Sequence, residues 1–424
     1  MKRNFTSKIN ENRPGYKETF AGWIPNDWKY VRAQDITELS AGGTPSTSVD
    51  EYWGGDILWM RSGDLNLKRV CDVKGRITNK GLENSSAILI PKHSVLIGLA
   101  GQGKTRGTVA INEVELAANQ SVAAFIPDKT KTHYLYIFYD LEHRYNELRR
   151  LSTGEGGRGG LNLKILGNLR FALPPLIEQQ EIVEILTTWN KAIDLVGKQI
   201  EAKQRLKKWL MQQLLTGKMR FPGFDDEWDS VKLGEIGDFS KGSGIRKSEL
   251  LEYGIPCIRY GEIYTSHDFV IKEFYSFISL EVAATSTNIF NGDILFAGSG
   301  ETPEEIGKCV AYLGEEEAYT GGDVIVLRLS KGDPRYMGYS LNHDVVNRQK
   351  YMYGQGHSVV HIYSRFLKDI EIPFPPIEEQ KKIAGLLDAV DLEIDRLYHK
   401  LFFMQQLKQG LMQKLLTGEV RVKV

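Results

Sequence analysis

Cysteine is scarce in this chain, and it has neither long apolar runs nor an excess of charge of one sign. Its three cysteines, Cys71, Cys257 and Cys309, are too far apart for a disulfide framework or a zinc site, which predicts reduced thiols in the cytoplasm. No apolar run is long enough to span a membrane, and the first residues lack the apolar core of a signal peptide. Basic and acidic residues number 54 each, so the net charge neither requires nor excludes nucleic acid.

Catalytic constellations are also missing. The eight histidines are scattered, and no pair of carboxylates has the spacing typical of a nuclease. The chain's two proline pairs follow Leu173 and Phe374 rather than the Asn or Asp of an amino-methyltransferase motif. With 42% hydrophobic and 25% charged residues, the composition is typical of a globular protein of more than one domain. We therefore expect no catalysis, no metal and no cofactor.

A long internal repeat dominates the sequence. Pro174-Pro175-Leu-Ile-Glu-Gln returns as Pro375-Pro376-Ile-Glu-Glu-Gln, and Leu-Leu-Thr-Gly217 returns as Leu-Leu-Thr-Gly418. The offsets 375 − 174 and 418 − 217 both equal 201, so the copies align without a gap. Paired prolines at the start and glycine at the end are typical helix boundaries. Each copy therefore predicts a helix roughly 60 Å long at about 1.5 Å per residue.

Apolar side chains recur along both predicted helices with the spacing of a heptad seam. The predicted helix-pairing seam comprises Ile182, Leu186, Trp189, Ile193, Val196 and Ile200 in the first copy and Ile383, Leu387, Val390, Ile394, Leu397 and Leu401 in the second. Lys207 and Lys408 interrupt the same row in both copies. One seam needs one partner, so the helices are predicted to pair with each other. An intervening domain only about 40 Å wide favours antiparallel helices.

The repeat extends to whole domains, because Trp28 and Trp228 open similar segments and Tyr136 and Tyr139 recur 200 positions later. Short runs bounded by glycine predict strands at 94–98, 108–111, 293–296 and 323–328, and one short helix is predicted near 134–149 and another near 336–349. The predicted organisation is an N-terminal arm (1–21), domain 1 (22–175), long helix 1 (176–217), domain 2 (218–375) and long helix 2 with a C-terminal tail (376–424). The predicted fold class is α+β, with two similar strand-rich mixed α/β domains alternating with two long helices that pair as an antiparallel, pseudo-two-fold coiled coil.

Three further stretches, 52–59, 228–236 and 254–261, join the doubled Pro-Pro-x-x-Glu-Gln and Leu-Leu-Thr-Gly motifs in a family resemblance. Over nearly its whole length the chain resembles the specificity subunit of a type I restriction–modification system. The resemblance implies two target-recognition domains that read a bipartite double-stranded DNA site. It also implies a non-catalytic protein that holds two methyltransferase subunits and a restriction subunit with helicase and nuclease activity.

Residues 98–105, Gly-Leu-Ala-Gly-Gln-Gly-Lys-Thr, satisfy the Walker A pattern of a P-loop. A P-loop also needs a helix directly after it, whereas residues 106–111 have the pattern of a turn and a strand. A nucleotide-binding enzyme is therefore an alternative function, and a coiled-coil scaffold without nucleic acid is another. We favour a flexible loop that presents Lys104 and Arg106 to DNA, with a solvated turn as the open alternative.

A second glycine loop, residues 153–160, carries Arg158, and its counterpart in the other half carries Gln355 and His357. Both lie just before a long helix, where a mobile backbone could close on a duplex or simply serve as a connector. These three residues are further candidates for DNA contact.

Three more arginines complete the predicted DNA-binding set. Arg61 and Arg259 follow equivalent strand-like runs, and arginine in such a place can pair with guanine, clamp phosphate or form a structural ion pair. Arg246 stands beside Lys247 in a predicted loop, where a solvated charge pair is the alternative.

Overall fold

The computed structural model describes residues 10–20, 22–101, 103–152, 160–356 and 359–423, which form two compact units. Unit 1 comprises Met1–Gly197 and Lys400–Val424, and unit 2 comprises Lys198–His399. Each unit therefore contains one strand-rich domain, the start of one long helix and the end of the other.

The elements of unit 1 follow the chain from a hairpin to the first long helix. The strands are β1 (Tyr16–Thr19), β2 (Gly22–Pro25), β3 (Lys29–Arg32), β4 (Thr37–Ala41), β5 (Trp53–Met60), β6 (Arg69–Val70), β7 (Arg76–Ile77), β8 (Val95–Gly98), β9 (Val109–Asn112), β10 (Ala117–Ala118), β11 (Val122–Pro127) and β12 (Arg170–Leu173). The helices are α1 (Ala33–Ile36), α2 (Asn79–Glu83), α3 (Tyr134–His143), α4 (Tyr145–Leu151), α5 (Leu163–Gly167) and the long α6 (Leu176–Leu214), which continues into unit 2.

A mixed five-stranded sheet with the order β4-β11-β8-β9-β6 forms the centre of unit 1. Strand β11 is antiparallel to β4 and β8, whereas the edge strand β6 runs parallel to β9. Strands β8 and β9 are buried throughout, because one face contributes to the main core with α3 and the other to a smaller core under β5. Burial on both faces explains why their sequences are continuously apolar rather than alternating. The pair β3-β12 leads the chain into α6.

Unit 2 repeats this plan. The strands are β13 (Asp229–Lys232), β14 (Gly237–Lys241), β15 (Ile255–Ile258), β16 (Ser276–Ile278), β17 (Thr287–Ile289), β18 (Asp293–Ala297), β19 (Ser299–Gly300), β20 (Cys309–Ala311), β21 (Ala318–Thr320), β22 (Val324–Leu329), β23 (Val360–His361) and β24 (Glu371–Phe374). The helices are α7 (Tyr260–Thr265), α8 (Leu280–Ala283), α9 (Pro334–Ser340), α10 (Asp344–Tyr353), α11 (Ser364–Leu367) and the long α12 (Ile377–Leu416), whose last part lies in unit 1.

The central sheet of unit 2, β14-β22-β18-β20, matches β4-β11-β8-β9 strand for strand. The parallel pair β15-β21 corresponds to β5-β10, and the antiparallel pair β13-β24 corresponds to β3-β12. The four strands predicted from glycine-bounded runs are β8, β9, β18 and β22. The predicted repetition of a strand-rich domain followed by a long helix is therefore confirmed.

The two long helices begin directly after the proline pairs and contain 39 and 40 residues. At about 1.5 Å per residue each is roughly 60 Å long, as predicted. Gly217 and Gly418 follow them with φ values of +70° and +72°, the left-handed conformation in which glycine commonly ends a helix.

In each unit, the end of one long helix lies against the start of the other. Within unit 1, Met412 and Leu415 near the end of α12 share a buried cluster with Ile182 near the start of α6. Within unit 2, Leu214 at the end of α6 shares a cluster with Ile383 near the start of α12. The two helices are therefore antiparallel, and this part of the predicted fold class is confirmed.

Two details of the sequence prediction need correction. Residues 134–149 form two helices rather than one, because the buried Arg144 interrupts them and its guanidinium bonds to Asp140 and to the Arg170 carbonyl. Residues 336–349 likewise divide between α9 and α10. In addition, residues 16–19 of the predicted N-terminal arm pair with residues 22–25, and Tyr16 donates a hydrogen bond to the Gly418 carbonyl (2.8 Å).

Candidate nucleic-acid interface

The glutamate of the first Pro-Pro-x-x-Glu-Gln motif fastens domain 1 to the start of α6. The buried Glu178 carboxylate accepts a hydrogen bond from Trp28 Nε1 (3.0 Å) and forms an ion pair with Arg421 (Nε to Oε1, 2.7 Å). Arg421 also contacts Asp27 (Nη2 to Oδ2, 2.7 Å), and its hydrogen bonds to the two carboxylates raise its pKa. The C-terminal tail is thereby tied to the base of domain 1.

The same arrangement recurs in unit 2. The buried Glu379 accepts from Trp228 Nε1 (2.9 Å) and pairs with Arg220 (Nε to Oε1, 2.6 Å), which raises the pKa of that arginine. Arg220 and Arg421 were not predicted, although their offset, 421 − 220 = 201, places them in the repeat. The doubled motif therefore joins a strand-rich domain to a long helix in each unit.

The glutamine of the motif fixes the turn before the short helices of each domain. The buried Gln179 accepts a hydrogen bond from the His133 backbone N–H (2.9 Å) and donates one to the Pro174 carbonyl (2.9 Å). Gln380 accepts from the Asp333 N–H (2.8 Å) and donates to the Pro375 carbonyl (2.8 Å). Glutamate and glutamine together set the position of the short helices relative to the long helix in each unit.

Lys408, the lysine that interrupts the seam of α12, packs against a tyrosine of domain 1. Lys408 Nζ lies 5.7 Å from the ring centroid of Tyr139 and 3.2 Å from Glu142 Oε2. The hydroxyl of Tyr139 is hydrogen-bonded to Thr187 (3.0 Å) and to Asn190 (3.1 Å) on α6. Uncharged partners therefore surround this hydroxyl.

Unit 2 replaces those uncharged partners with acids. The Tyr339 hydroxyl lies 2.8 Å from Asp388 Oδ1 and 2.7 Å from Asp391 Oδ2, and burial followed by the Asp391 charge raises the pKa of Tyr339. Lys207 Nζ, the other seam interruption, lies 2.5 Å from Asp391 Oδ1 and 4.2 Å from the ring centroid of Phe269. Because one hydroxyl proton cannot serve two carboxylates, Lys207 supplies the compensating positive charge.

The first glycine loop, residues 98–107 (loop 1), connects β8 to β9, and hydrogen bonds from two neighbouring segments hold it in place. The Leu161 N–H donates a hydrogen bond to the Leu99 carbonyl (3.0 Å), which joins the loop to the segment that leads into α6. Arg149 Nη1 on α4 donates to the Gly103 carbonyl (2.7 Å). Loop 1 is thus held by Leu161 on one element and by Arg149 on another.

The two candidate side chains of loop 1 have different surroundings. Lys104 is exposed, and its main-chain carbonyl accepts a hydrogen bond from Tyr145 Oη (2.9 Å). Arg106 is half-buried and donates to the Gly101 carbonyl (3.2 Å) and to Ser152 Oγ (3.1 Å). Lys104 is therefore accessible to a ligand, whereas Arg106 contributes to the loop's own structure.

Loop 1 lacks the structural context of a P-loop. A turn at residues 105–108 leads directly to strand β9, so no helix occupies residues 103–112. The prediction of a turn and strand after the Walker-like motif is confirmed. A P-loop holds phosphates at the N-terminus of the following helix, and this loop offers none.

The corresponding loop of unit 2, residues 298–307 (loop 2), follows β18 and has the same two anchors. The Ile362 N–H donates to the Gly298 carbonyl (3.0 Å), and β19 pairs with β23. Lys350 Nζ on α10 donates to the Gly307 carbonyl (2.8 Å). Lys350 is buried, and burial lowers its pKa to about 8. Loop 2 carries Glu301, Glu304 and Glu305 and no basic side chain.

Arg61 and Arg259 lie at equivalent strand ends. Each backbone N–H donates to an acid three residues on: Arg61 to Asp64 Oδ2 (2.8 Å) and Arg259 to Glu262 Oε2 (2.8 Å). The Arg61 guanidinium lies 5.9 Å from the ring centroid of Trp59. Arg259 Nη2 is 3.6 Å from Glu262 Oε1, so the ion-pair alternative is realised for Arg259.

The remaining candidates lie in loops. Arg246 is exposed, and its backbone N–H donates to Glu249 Oε2 (2.6 Å). Gln355 is exposed and exchanges two main-chain hydrogen bonds with His361, which places it beside loop 2 through β23. Arg158 and His357 lie outside the described residues.

The sequence analysis missed the residues that anchor the two loops, Arg149 and Lys350. A signal was available, because the two basic residues are 350 − 149 = 201 positions apart, which is the offset of the long-helix copies. A cation that recurs in both copies is a candidate for a fixed structural contact.

Burial along the predicted seam is uneven. Eight of its residues are buried, namely Ile182, Leu186, Val196, Ile200, Ile383, Leu387, Val390 and Ile394, whereas Trp189, Ile193, Leu397 and Leu401 are half-buried. Across the described part of the chain, no three His, Cys, Asp or Glu side chains are grouped so as to hold a metal ion. None of the helices described is long and apolar enough to cross a membrane.

Comparison with known proteins gives a consistent result. Residues 25–204 and 225–401 each match the family described as Type I restriction modification DNA specificity domain. The chain is 26% identical over 429 residues to the Type I restriction enzyme MjaVIII specificity subunit of Methanocaldococcus jannaschii, covering 96% of each chain. It is 28% identical over 197 residues to the Type I restriction enzyme EcoR124I/EcoR124II specificity subunit of Escherichia coli, covering 45% of this chain and 48% of that relative.

Solved structures show the same fold. The S subunit of the type I restriction–modification system from M. genitalium matches with a TM-score of 0.56 and 16% identity, over 92% of this chain and 96% of that one. A chain from a structure of type I R-M complex assembly and conformational transition matches with a TM-score of 0.61 and 17% identity, over 94% and 99%. Because the family match occupies most of both halves, this chain belongs to the specificity subunits of type I restriction–modification systems.

Proposed function

We propose that this chain is the non-catalytic subunit that reads a bipartite double-stranded DNA site, with domain 1 (22–175) and domain 2 (218–375) each reading one part. The observation that carries the proposal is the difference between equivalent loops on equivalent scaffolds. Loop 1 presents the exposed Lys104, whereas loop 2 presents three glutamates. Two readers of one design with different surface chemistry suit two different half-sites.

The DNA-contacting residues are part of the proposal. Lys104 is the leading candidate, since it is exposed on an anchored loop. Arg106 and Arg259 also contribute, although their guanidinium groups already contact Ser152 and Glu262, respectively. The set is completed by Arg61, Arg158, Arg246, Gln355 and His357.

The scaffolding role rests on the long helices, residues 176–217 and 376–424. Phe402, Phe403 and Leu407 of α12 are exposed in unit 1, and Leu206 and Trp209 of α6 are exposed in unit 2. Large apolar side chains grouped on a helix surface are typical of protein-binding sites. We assign these surfaces to two methyltransferase subunits and a restriction subunit, assembled in the cytoplasm.

Selection of DNA from a randomised library by the complex with methyltransferase tests the reading function. The expected product is a site of two specified segments separated by an unspecified spacer. Exchange of residues 22–175 for the corresponding domain of a relative should change one segment and leave the other unchanged. Selection of a single continuous site, or of none, would contradict the proposal.

Lys104→Ala tests the leading contact. If Lys104 neutralises one phosphate, the variant complex should bind its site more weakly, and the slope of log K against log[salt] should fall by about one contact. Lys92→Ala removes an exposed lysine before the opposite end of β8 and should leave the slope unchanged. ATP hydrolysis by the purified chain that disappears in Lys104→Ala would instead support the nucleotide-binding alternative.

A further inference from the structure

A basic side chain on the helix that follows α3 in domain 1 and α9 in domain 2 packs against the glycine loop of each domain. Arg149 of α4 and Lys350 of α10 both donate to a main-chain carbonyl of the loop, at 2.7 Å and 2.8 Å. Both also lie along an equivalent glycine. A Cβ at Gly107 would be 3.6 Å from Arg149 Cγ, and a Cβ at Gly307 would be 3.0 Å from Lys350 Cδ. These glycines have φ values of +79° and +71°, so the backbone turns there to admit the side chain.

The contact in domain 2 is costly for the fold. Lys350 is 1% exposed and lies among the apolar residues of the unit 2 core, including Val346, Ile306 and Ile362. Removing an ammonium group from water is unfavourable, and its depressed pKa reflects that cost. An apolar side chain of similar length would fill the space without this penalty, so packing alone does not account for lysine.

The cation is one of several attachments of each loop. A backbone bond runs from Leu161 to Leu99 in domain 1 and from Ile362 to Gly298 in domain 2, where β19 also pairs with β23. The basic side chain adds an attachment from a helix. Attachments to more than one element restrict the loop backbone, which lowers the entropy that a ligand would otherwise have to remove on binding.

From this repeated arrangement we infer that Arg149 and Lys350 are positioning residues, each of which holds the DNA-reading loop of its own domain in its binding conformation. The inference rests on the proposed DNA-reading function. Neither residue is assigned a contact with DNA. Each acts through a loop carbonyl, and so each determines how sharply one half-site is selected.

The two domains depend on this contact to different extents. In domain 1, Tyr145 also binds loop 1, through the Lys104 carbonyl, and Arg106 bonds to Ser152. Loop 2 is also held by the pairing of β19 with β23 and by Ser299 Oγ to His361 Nδ1 (2.9 Å), but Lys350 is buried beside it, whereas Arg149 is half-buried beside loop 1. Loss of the cation should therefore affect domain 2 more than domain 1.

The test measures selection at each half-site separately, with the full chain in complex with methyltransferase and a randomised DNA library as the probe. Lys350→Met should reduce discrimination at the second half-site about tenfold, within the range of one base contact, and leave the first unchanged. The matched control is Arg348→Met, which removes an exposed charge from the same helix. An equal loss in this control, or none in Lys350→Met, would overturn the inference.

Domain 1 supplies a test that does not disturb a buried site. Arg149 is half-buried, so Arg149→Met is expected to fold, and it should relax the first half-site alone by less than Lys350→Met relaxes the second. Arg149→Lys should restore selection, because lysine performs this role in domain 2. Failure of Arg149→Lys to recover selection that Arg149→Met has lost, or an unchanged first half-site in Arg149→Met, would overturn the inference.

Two further measurements distinguish failure of the proposed DNA-reading function from failure of the positioning role alone. Hydrogen exchange in the Lys350→Met chain should rise in residues 298–307 while β18 and β22 remain protected, and a rise throughout domain 2 would overturn the positioning role there. If the wild-type complex selects no bipartite site, the proposed function fails. If it does select one and the variants select it equally well, only the positioning role fails.

Discussion

Units 1 and 2 agree where each domain meets a long helix and differ where each domain faces solvent. Trp28, Glu178 and Arg421 form the same cluster as Trp228, Glu379 and Arg220. By contrast, the exposed Lys104 of loop 1 is replaced by glutamates in loop 2. The comparison separates residues that build the scaffold from residues that determine what it binds.

The agreement has a physical cause. A buried carboxylate requires a full set of donors, so a change in one member of the cluster leaves the others unsatisfied. Loop side chains in water carry no such requirement and can vary freely. Equivalent positions that differ in chemistry are therefore the best candidates for half-site specificity, and Tyr139 and Tyr339 show that differences also occur inside the scaffold.

The largest effect that would test the equivalence of the units is assembly of half a chain. In the intact chain, Met412, Leu415 and Arg421 complete unit 1. Residues 1–223 lack them but carry Met211, Leu214 and Arg220 at the same repeat positions. Burial of apolar surface at roughly 25 cal/mol per Å² should therefore drive two fragments to exchange helix ends and form a symmetric dimer.

Sedimentation of the 1–223 fragment should show a dimer, and DNA selected by that dimer with methyltransferase should be a palindrome of the first half-site. The control is the same fragment with Leu214→Asp, which places a charge in the exchanged core and should remain monomeric. A monomeric wild-type fragment would contradict the equivalence, as would a dimer that selects an asymmetric site. Trp189, which would meet its own copy, is the residue most able to weaken this dimer.

A smaller effect is expected from neutralising the motif glutamates. Glu379→Gln removes the negative charge and one of the two acceptor oxygens opposite Arg220, and should cost about 2 kcal/mol of unfolding free energy. Glu178→Gln should cost about half as much, because Arg421 retains its ion pair with Asp27. Urea unfolding of the two variants measures the difference. Equal losses would mean that Asp27 does not compensate.

The sequence predicted the scaffold well because the scaffold is repeated. The 201-residue offset identified both long helices, their proline starts and their glycine ends, and the antiparallel pairing followed from chain connectivity. The breaks at Arg144 and between α9 and α10 were missed, since helix periodicity continues across them. At the first break Arg144 donates a hydrogen bond to the Arg170 carbonyl (3.0 Å), a partner that only the fold brings close.

The candidate site was less predictable from sequence. Glycine, lysine and arginine marked loop 1, but the pattern could not separate the exposed Lys104 from Arg106, which bonds to Ser152 in the folded chain. Arg259 has Glu262 only three residues on, but the ion pair between them (3.6 Å) becomes visible only in the folded chain. The hydrogen bonds and ion pairs that a side chain forms depend on the folded arrangement, which hydrophobic periodicity and composition do not encode.

Substitution of Lys207 and Lys408, which interrupt the seam, tests whether the acids beside Tyr339 make unit 2 differ from unit 1 inside the scaffold. Lys207→Met leaves Asp391 and Asp388 beside one tyrosine hydroxyl and should cost about 2 kcal/mol. Lys408→Met should cost about 1 kcal/mol or less, because Lys68 remains paired with Glu142 (3.3 Å). Adding Asp391→Asn to Lys207→Met, as at Asn190, should recover stability. A loss in Lys408→Met as large as in Lys207→Met would show that the acids of unit 2 are not the cause.

The last expected effect, visible only when the pH is varied, is the one contributed by Lys350. Its pKa is about 8 in the folded chain, below the ordinary value of lysine, so the unfolded chain binds an extra proton at pH values between the two. Unfolding free energy rises with pH wherever the unfolded state binds more protons. Below pH 8 the full cost of the buried charge is present, and it is relieved as the pH rises from about 8 towards 10.

The wild type should therefore gain stability relative to Lys350→Met over this interval, whereas Arg348→Met should run parallel to the wild type. Urea unfolding of the three proteins at pH 7, 8, 9 and 10 measures this directly. A constant difference between the wild type and Lys350→Met would mean that the amine keeps its ordinary pKa and that the buried contact with loop 2 is less enclosed than its position indicates.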